Sequence, residues 1–242
     1  MTYNRYMKCE NYLFKDTIVE IWNELKLHAS ENKINRLNDI AHFSMECNII
    51  KEIGVHQGLS LIPMIITKPK KLIAVDQDFK FFRNKKRPNC NLFEELDIQY
   101  DAMLTELLWL LNTDLGECRE KDIDNWLTGF KVLYYDKGIE NKIRRYCRTY
   151  EIEFEMYECD SLHQKCVSKV DLLHLDGDHS LNRVAQELEL HAPLVNKYII
   201  FHDTISCNLI PTIDEYMKNA YEKWKVVIDY KKGNGHRIIE RL

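Results

Sequence analysis

Three ionisable groups stand within four residues where an apolar run stops: Asp176, Asp178 and His179 in "DLLHLDGDHS", residues 171–180. A second apolar run, "YIIFHDT", ends in His202 and Asp203. Carboxylates and imidazoles gathered in this way suit two chemistries. They can hold a divalent cation, with oxygens favouring Mg²⁺, Ca²⁺ or Mn²⁺ and histidine shifting the balance towards Mn²⁺ or another transition metal. They can also take a proton from a reacting group. If the two runs are adjacent parallel strands about 4.8 Å apart, Asp176, His202 and Asp203 converge on one cation. Asp178 or His179 is then the candidate base. The alternative is that Asp178 and Ser180 cap a following helix and His179 lies on the surface.

A second constellation follows an earlier run. "KEIGVHQGLS" places Gly54, Gly58 and Ser60 as G-x-x-x-G-x-S, with Glu52 two residues before the first glycine. Glycines after a strand let the backbone turn sharply and approach a ligand. The pattern is not G-x-G-x-x-G and has no P-loop lysine, which weakens dinucleotide and nucleoside triphosphate readings. Asp76, in "AVDQD", follows about twenty residues later, where a carboxylate accepts hydrogen bonds from a ribose diol.

Positioning these groups requires a particular set of elements. Residues 12–29 repeat apolar groups at Ile18, Ile21, Trp22 and Leu25, and a second helical pattern runs from about Asn35 to Met45. Short β-branched or fully apolar runs then alternate with helix-length segments: "CNIIKEIG", "KLIAVD", "EFEMYECD", "VDLLHLD" and "YIIFHD". Such alternation predicts parallel strands in a sheet covered on both sides. "LSLIPMIIT" is expected to be a helix with Pro63 in its first turn. In "SLNRVAQELELHAPLV", Ser180 is a candidate cap, and Leu181, Val184, Ala185 and Leu188 form the expected buried face. His174, between Leu173 and Leu175, reads as an interior histidine. His191, late in its helix, sits where the dipole favours a cation. "KVVIDY" and "HRIIER" are separated only by "KKGNG", whose Asn234-Gly235 step predicts a tight hairpin and an antiparallel last strand.

Taken together, "EIGVHQGLS", "AVD", "ECDS", "DLLHLDGDHS", "YIIFHDT" and "GNGHRIIER" resemble the class I S-adenosylmethionine-dependent methyltransferases. The resemblance is strongest to the branch of small-molecule and sugar O-methyltransferases that also holds cephalosporin-hydroxylase-like proteins. It covers residues 47–76 and 152–242. It implies an α/β, Rossmann-like sheet of seven strands, the last antiparallel, with helices on both faces. It also implies that Glu52, Gly54, Gly58 and Ser60 line the methionine part of S-adenosylmethionine, that Asp76 holds the ribose, and that Asp160 and Ser161 lie near the adenine. His56, between the glycines, either contacts the cofactor carboxylate or faces solvent. Metal-dependent members of the branch place ligands at the positions of Asp176, His202 and Asp203, which implies Mg²⁺ or Mn²⁺. The expected acceptor is a hydroxylated small molecule such as a sugar or glycoside. A non-methylating enzyme on the same fold and a binding protein without turnover are the rival readings.

Composition bounds the rest. The chain has 242 residues, 45% hydrophobic and 30% charged, with 8 Gly and 5 Pro. This suits one domain: an N-terminal helical cap over residues 1–46, then an α/β core to 242 with an insertion at about 79–150. The insertion contains "DAMLTELLWLLN", apolar around most of a helix, which is expected to bury against the core, as a lid, or in a homodimer. A net charge of −4 exerts no general pull on nucleic acid or membrane, so neither is an expected partner. "KFFRNKKRPN" is the one basic stretch and reads as a solvated loop. No apolar run reaches the roughly 20 residues of a membrane span. Eight scattered cysteines without C-x-x-C suit reduced thiols in the cytoplasm.

Overall fold

The computed structural model describes residues 17–29, 31–56, 58–83, 139–164 and 168–242. The expected helix at 101–112, the aromatic segment after it and four of the cysteines (Cys9, Cys90, Cys118, Cys166) lie outside these residues.

The chain enters through α1 (Ile18–His28) and α2 (Glu31–Ser44). Thr17 and Glu20 form a reciprocal capping box that starts α1: the Glu20 N–H donates to Thr17 Oγ1 (3.2 Å) and the Thr17 N–H to Glu20 Oε2 (3.1 Å). Beyond it come β1 (Ile49–Ile53), α3 (Leu61–Ile66), β2 (Lys71–Asp76) and the short α4 (Lys80–Arg83). After the undescribed segment follow α5 (Glu140–Thr149), β3 (Glu153–Glu158), β4 (Val170–Leu175) and α6 (Leu181–His191). A 3₁₀ turn (Ala192–Leu194) leads into β5 (Val195–His202), and α7 (Ile210–Asn219), β6 (Trp224–Tyr230) and β7 (His236–Arg241) complete the fold.

The seven strands form one sheet in the order β3-β2-β1-β4-β5-β7-β6. β3, β2, β1, β4 and β5 run parallel, whereas β7 is antiparallel to both β5 and β6. The Rossmann-like class I sheet expected from the sequence is therefore present. The period of two along each strand divides the core between the sheet's faces. Ile50, Leu72, Ala74, Leu172, Ile200 and Ile238 pack with α1, α2, α3 and α5. Ile73, Val75, Leu173, Leu175, Ile199 and Ile239 pack with α6 and α7.

Two local expectations are corrected. The hairpin turn spans Lys232 to Gly235, closed by a 3.2 Å bond from the Gly235 N–H to the Lys232 carbonyl. The left-handed residues are Gly233 (φ 58°) and Gly235 (φ 76°), so both glycines rather than the Asn-Gly pair make the turn. In α6 the buried face is Val184, Glu187, Leu188 and His191, while Leu181 is exposed. The face is rotated because a buried polar network, described below, draws Glu187 and His191 inward.

After β1 the chain builds outward through β2 and β3, then returns to lay β4 on β1's other side. The carboxyl ends of β1 and β4 thus flank a topological switch point, where open α/β sheets bind ligands. Among the described residues no helix is long and apolar enough to cross a membrane. Cys47, Cys147, Cys159 and Cys207 carry free thiols.

Candidate functional site

The ends of β4 and β5 meet as their parallel pairing requires. Asp176 extends the β4 ladder by donating its N–H to the Ile53 carbonyl (2.9 Å). His202 closes β5, and Asp203 turns the chain away in the left-handed region at φ 54°, a conformation that costs a non-glycine residue energy. His202 Nδ1 lies 2.5 Å from Asp176 Oδ1 and its Nε2 3.1 Å from Asp203 Oδ1. His179 Nε2 lies 3.5 Å from Asp176 Oδ1 and 3.8 Å from Asp203 Oδ2. One ligand atom from each of these four residues falls within 4.8 Å of the others.

The electrostatics of this cluster are tightly linked. Burial pushes the Asp176 carboxyl up, but His202 and His179 outweigh it and hold the group well below the usual carboxylate range. Burial draws the His179 imidazole down, yet Asp176 and Asp203 outweigh it and raise the group. For His202 burial prevails and lowers it. His179 Nε2 and Asp203 Oδ1 are buried and make no hydrogen bond. Two unsatisfied ligand atoms inside a mixed oxygen and nitrogen set fit a divalent cation.

Asp178 is placed otherwise. Its Oδ1 accepts the Ser180 N–H (2.8 Å) at the head of α6, and the Ser180 bonds hold its carboxyl below its ordinary range. Ser180 is the N-cap residue but makes no side-chain cap bond. Of the two candidate bases, the structure turns Asp178 to the helix and His179 to the cluster.

At the end of the sheet where the sequence places the cofactor, each expected residue has a protein contact of its own. Asp76 Oδ2 accepts the N–H groups of Val55 and His56, both at 2.8 Å, and Oδ1 accepts that of Asp78 (3.0 Å). Asp76 thus braces the glycine turn, and Oδ1 retains acceptor capacity for a ribose hydroxyl. Gly54 (φ 84°) has no room for a side chain, since a Cβ would lie 2.2 Å from the Asp176 carbonyl oxygen. At Gly58 (φ 74°) it would lie 2.6 Å from the Phe82 ring. Glu52 is fully buried, accepting from Ser60 Oγ and meeting His174 Nδ1 at 2.8 Å, and burial raises its carboxyl. His174 is the interior histidine expected. Ser60 faces Glu52 instead of capping α3.

Asp160 and Ser161 belong to a network absent from the sequence reading. Arg183 of α6 clasps the Asp160 carboxylate and donates to Ser161 Oγ (2.7 Å). Ser161 Oγ in turn donates to Glu187 (2.5 Å). His191 Nε2 lies 3.0 Å from the Ser161 carbonyl, and its Nδ1 lies 3.3 Å from Lys51 Nζ, which is buried within β1. The expectation of a cationic His191 is corrected: burial and the adjacent Lys51 hold its imidazole down to about 4. The available signal was a lysine inside the apolar strand "IIKEI", a charge that a central strand must pair.

The N-terminal helices also reach the site. Arg36 Nη1 of α2 lies 3.9 Å from Asp176 Oδ2, and Asp39 Oδ2 lies 2.6 Å from His236 Nε2. His236 is the β7 register partner of His202. A cleft of about 400 Å³ lies between Asn35, Asn38 and Asp39 of α2 and residues 227–230 of β6.

No family model matches the chain, and no curated protein matches it in sequence. Solved structures with a similar fold include three methyltransferases. The ribosomal protein L11 methylase from Lactobacillus delbrueckii subsp. bulgaricus has a TM-score of 0.45 and 11% identity, over 85% of this chain and 78% of its own. The N-methyltransferase NodS from Bradyrhizobium japonicum WM9, in complex with S-adenosyl-L-homocysteine, has 0.46 and 10%, over 98% and 96%. The O-methyltransferase TomG from Streptomyces achromogenes, in complex with SAM, has 0.42 and 10%, over 96% and 90%. These likenesses carry no residue role and no substrate to this chain.

Proposed function

We propose that the chain is an S-adenosylmethionine-dependent O-methyltransferase acting on a hydroxyl of a small molecule, a sugar or glycoside in the first instance, with Mg²⁺ or Mn²⁺ held by Asp176, His202 and Asp203. The observation that carries this reading is the convergence of those three residues and His179 at two adjacent strand ends beside the switch point. When bound, the sulfonium cofactor supplies an electrophilic methyl group, and a divalent cation supplies charge that favours loss of a hydroxyl proton.

The chain's own residues supply the rest. Asp176 and Asp203 bring two carboxylates together, an arrangement that calls for a counter-charge. His179 Nε2, buried and without a hydrogen bond, is the group we assign to receive the proton. Asp76 holds the glycine turn in shape, and its Oδ1 would accept from a ribose hydroxyl.

Calorimetry with Mn²⁺ and with S-adenosylmethionine tests this, together with transfer of labelled methyl to a panel of sugars. Asp176→Asn and Asp203→Asn should weaken Mn²⁺ binding by tenfold or more, roughly 1.4 kcal/mol each, and leave cofactor affinity nearly unchanged. His179→Gln should slow transfer by about 10²-fold with Mn²⁺ retained. Loss of Mn²⁺ in His179→Gln to the extent seen in Asp203→Asn would make His179 a fourth ligand instead. Full methyl transfer in excess EDTA would refute the metal role.

A further inference from the structure

Among the described residues, Arg36 is a guanidinium at the site whose one ion pair, to Asp176, is a long one. Its side chain is only 15% exposed, and its nearest carboxylate among the described residues, Asp176 Oδ2, stands 3.9 Å away, beyond hydrogen-bond length. Its buried Nη1 makes no hydrogen bond. Arginine has five N–H donors in a rigid fork, and leaving buried donors unmatched is unfavourable, so such a group marks a place where an acceptor binds.

Position and charge define that acceptor. Arg36 projects from α2 towards the same carboxylate that we assign to the cation, so it adjoins the reacting hydroxyl. With a divalent cation in place, Asp176 and Asp203 balance the ion and the Arg36 charge remains uncompensated. A neutral acceptor leaves it so, whereas a carboxylate or phosphate matches both its charge and its fork. Lysine would supply the charge without that planar match.

We propose that Arg36 is a specificity-determining residue that binds an anionic group, a carboxylate or phosphate, on the acceptor. The acceptor class is then a hydroxy acid or hydroxy phosphate ester. Arg36 lies 3.9 Å from a carboxylate that would hold the cation, so the anionic group would stand a few bonds from the reacting hydroxyl. This inference rests on the methyl-transfer reading and narrows its substrate.

The test is calorimetry on the full chain loaded with Mn²⁺, using glycerate, glycerol 1-phosphate and glycerol as probes. Wild type should bind at least one of the two anions more tightly than glycerol, and the anion that binds identifies carboxylate or phosphate. Arg36→Gln should weaken that anion by about tenfold or more, with Arg36→Lys intermediate, while glycerol is unaffected. Mn²⁺ binding at wild-type strength or tighter in each variant shows that the site is intact. Equal anion affinity in wild type and Arg36→Gln would overturn the proposal, since the cation alone would then account for binding. Absence of any preference for anions in wild type overturns it without a variant. A protein that binds Mn²⁺ and S-adenosylmethionine but fails these comparisons keeps the methyl-transfer reading and loses only this inference.

Discussion

Burial and the neighbouring Lys51 keep the His191 imidazole neutral down to about 4, and this makes stability depend on acid. The folded value lies below that of an unfolded histidine, about 6.5. Its contribution is therefore complete above about pH 6.5 and is lost as pH falls towards 4, because only the unfolded chain then gains a proton. The full loss is on the order of 3 kcal/mol. Urea titrations between pH 7 and 4 should show wild-type stability falling across this window and a shallower fall in His191→Gln. An equal slope in both would show that other groups set the acid response. At this scale the cluster itself was legible, because Asp176, His202 and Asp203 mark strand ends in the sequence. Arg36 was not, and Lys51 signalled only that it needs a partner, not which one: the neighbour of each lies more than a hundred residues away, and no local pattern encodes that distance.

The glycines around the switch point differ in what they permit, and this separates packing from ligand approach. Gly54→Ala forces a Cβ into the Asp176 carbonyl at 2.2 Å from a left-handed backbone, with rigid main chain on both sides. That variant should lose several kcal/mol and fail to accumulate as folded protein. At Gly177 the nearest atom to a new Cβ is 3.6 Å away, an ordinary contact, so Gly177→Ala should fold with thermal stability close to wild type. A folded Gly177→Ala protein that has lost Mn²⁺ or cofactor binding would show that the glycine serves a ligand. If Gly177→Ala instead fails to fold, the loop packs more tightly than described. The strands and their parallel pairing were readable from fully apolar runs and helix-length spacing. The buried face of α6 was not, since apolar periodicity assigns Leu181 to the core while Arg183, Ser161 and Lys51 turn Glu187 and His191 there instead.

For the whole molecule, the N-terminal helices are part of the core. Ile18, Ile21 and Trp22 of α1 and Leu37 and Ile40 of α2 are buried in the same core as β1, β2 and β4. Each such side chain contributes roughly 1.5–3 kcal/mol, and together they rival the whole stability of a domain, about 5–15 kcal/mol. A truncation lacking residues 1–46 should therefore be insoluble or molten, as ANS binding and loss of near-ultraviolet dichroism would reveal. A soluble, cooperatively unfolding truncation would make those helices a detachable cap. The position of β7 has a further consequence during synthesis. It is the last strand of the sheet to be synthesised, yet it sits between β5 and β6, with Ile238 and Ile239 wholly enclosed. Until it emerges, the nascent sheet presents β5 as a long apolar edge able to pair with another chain. The order of the strands thus leaves an interval, after β5 and before β7, in which the growing sheet carries an edge that the finished one does not.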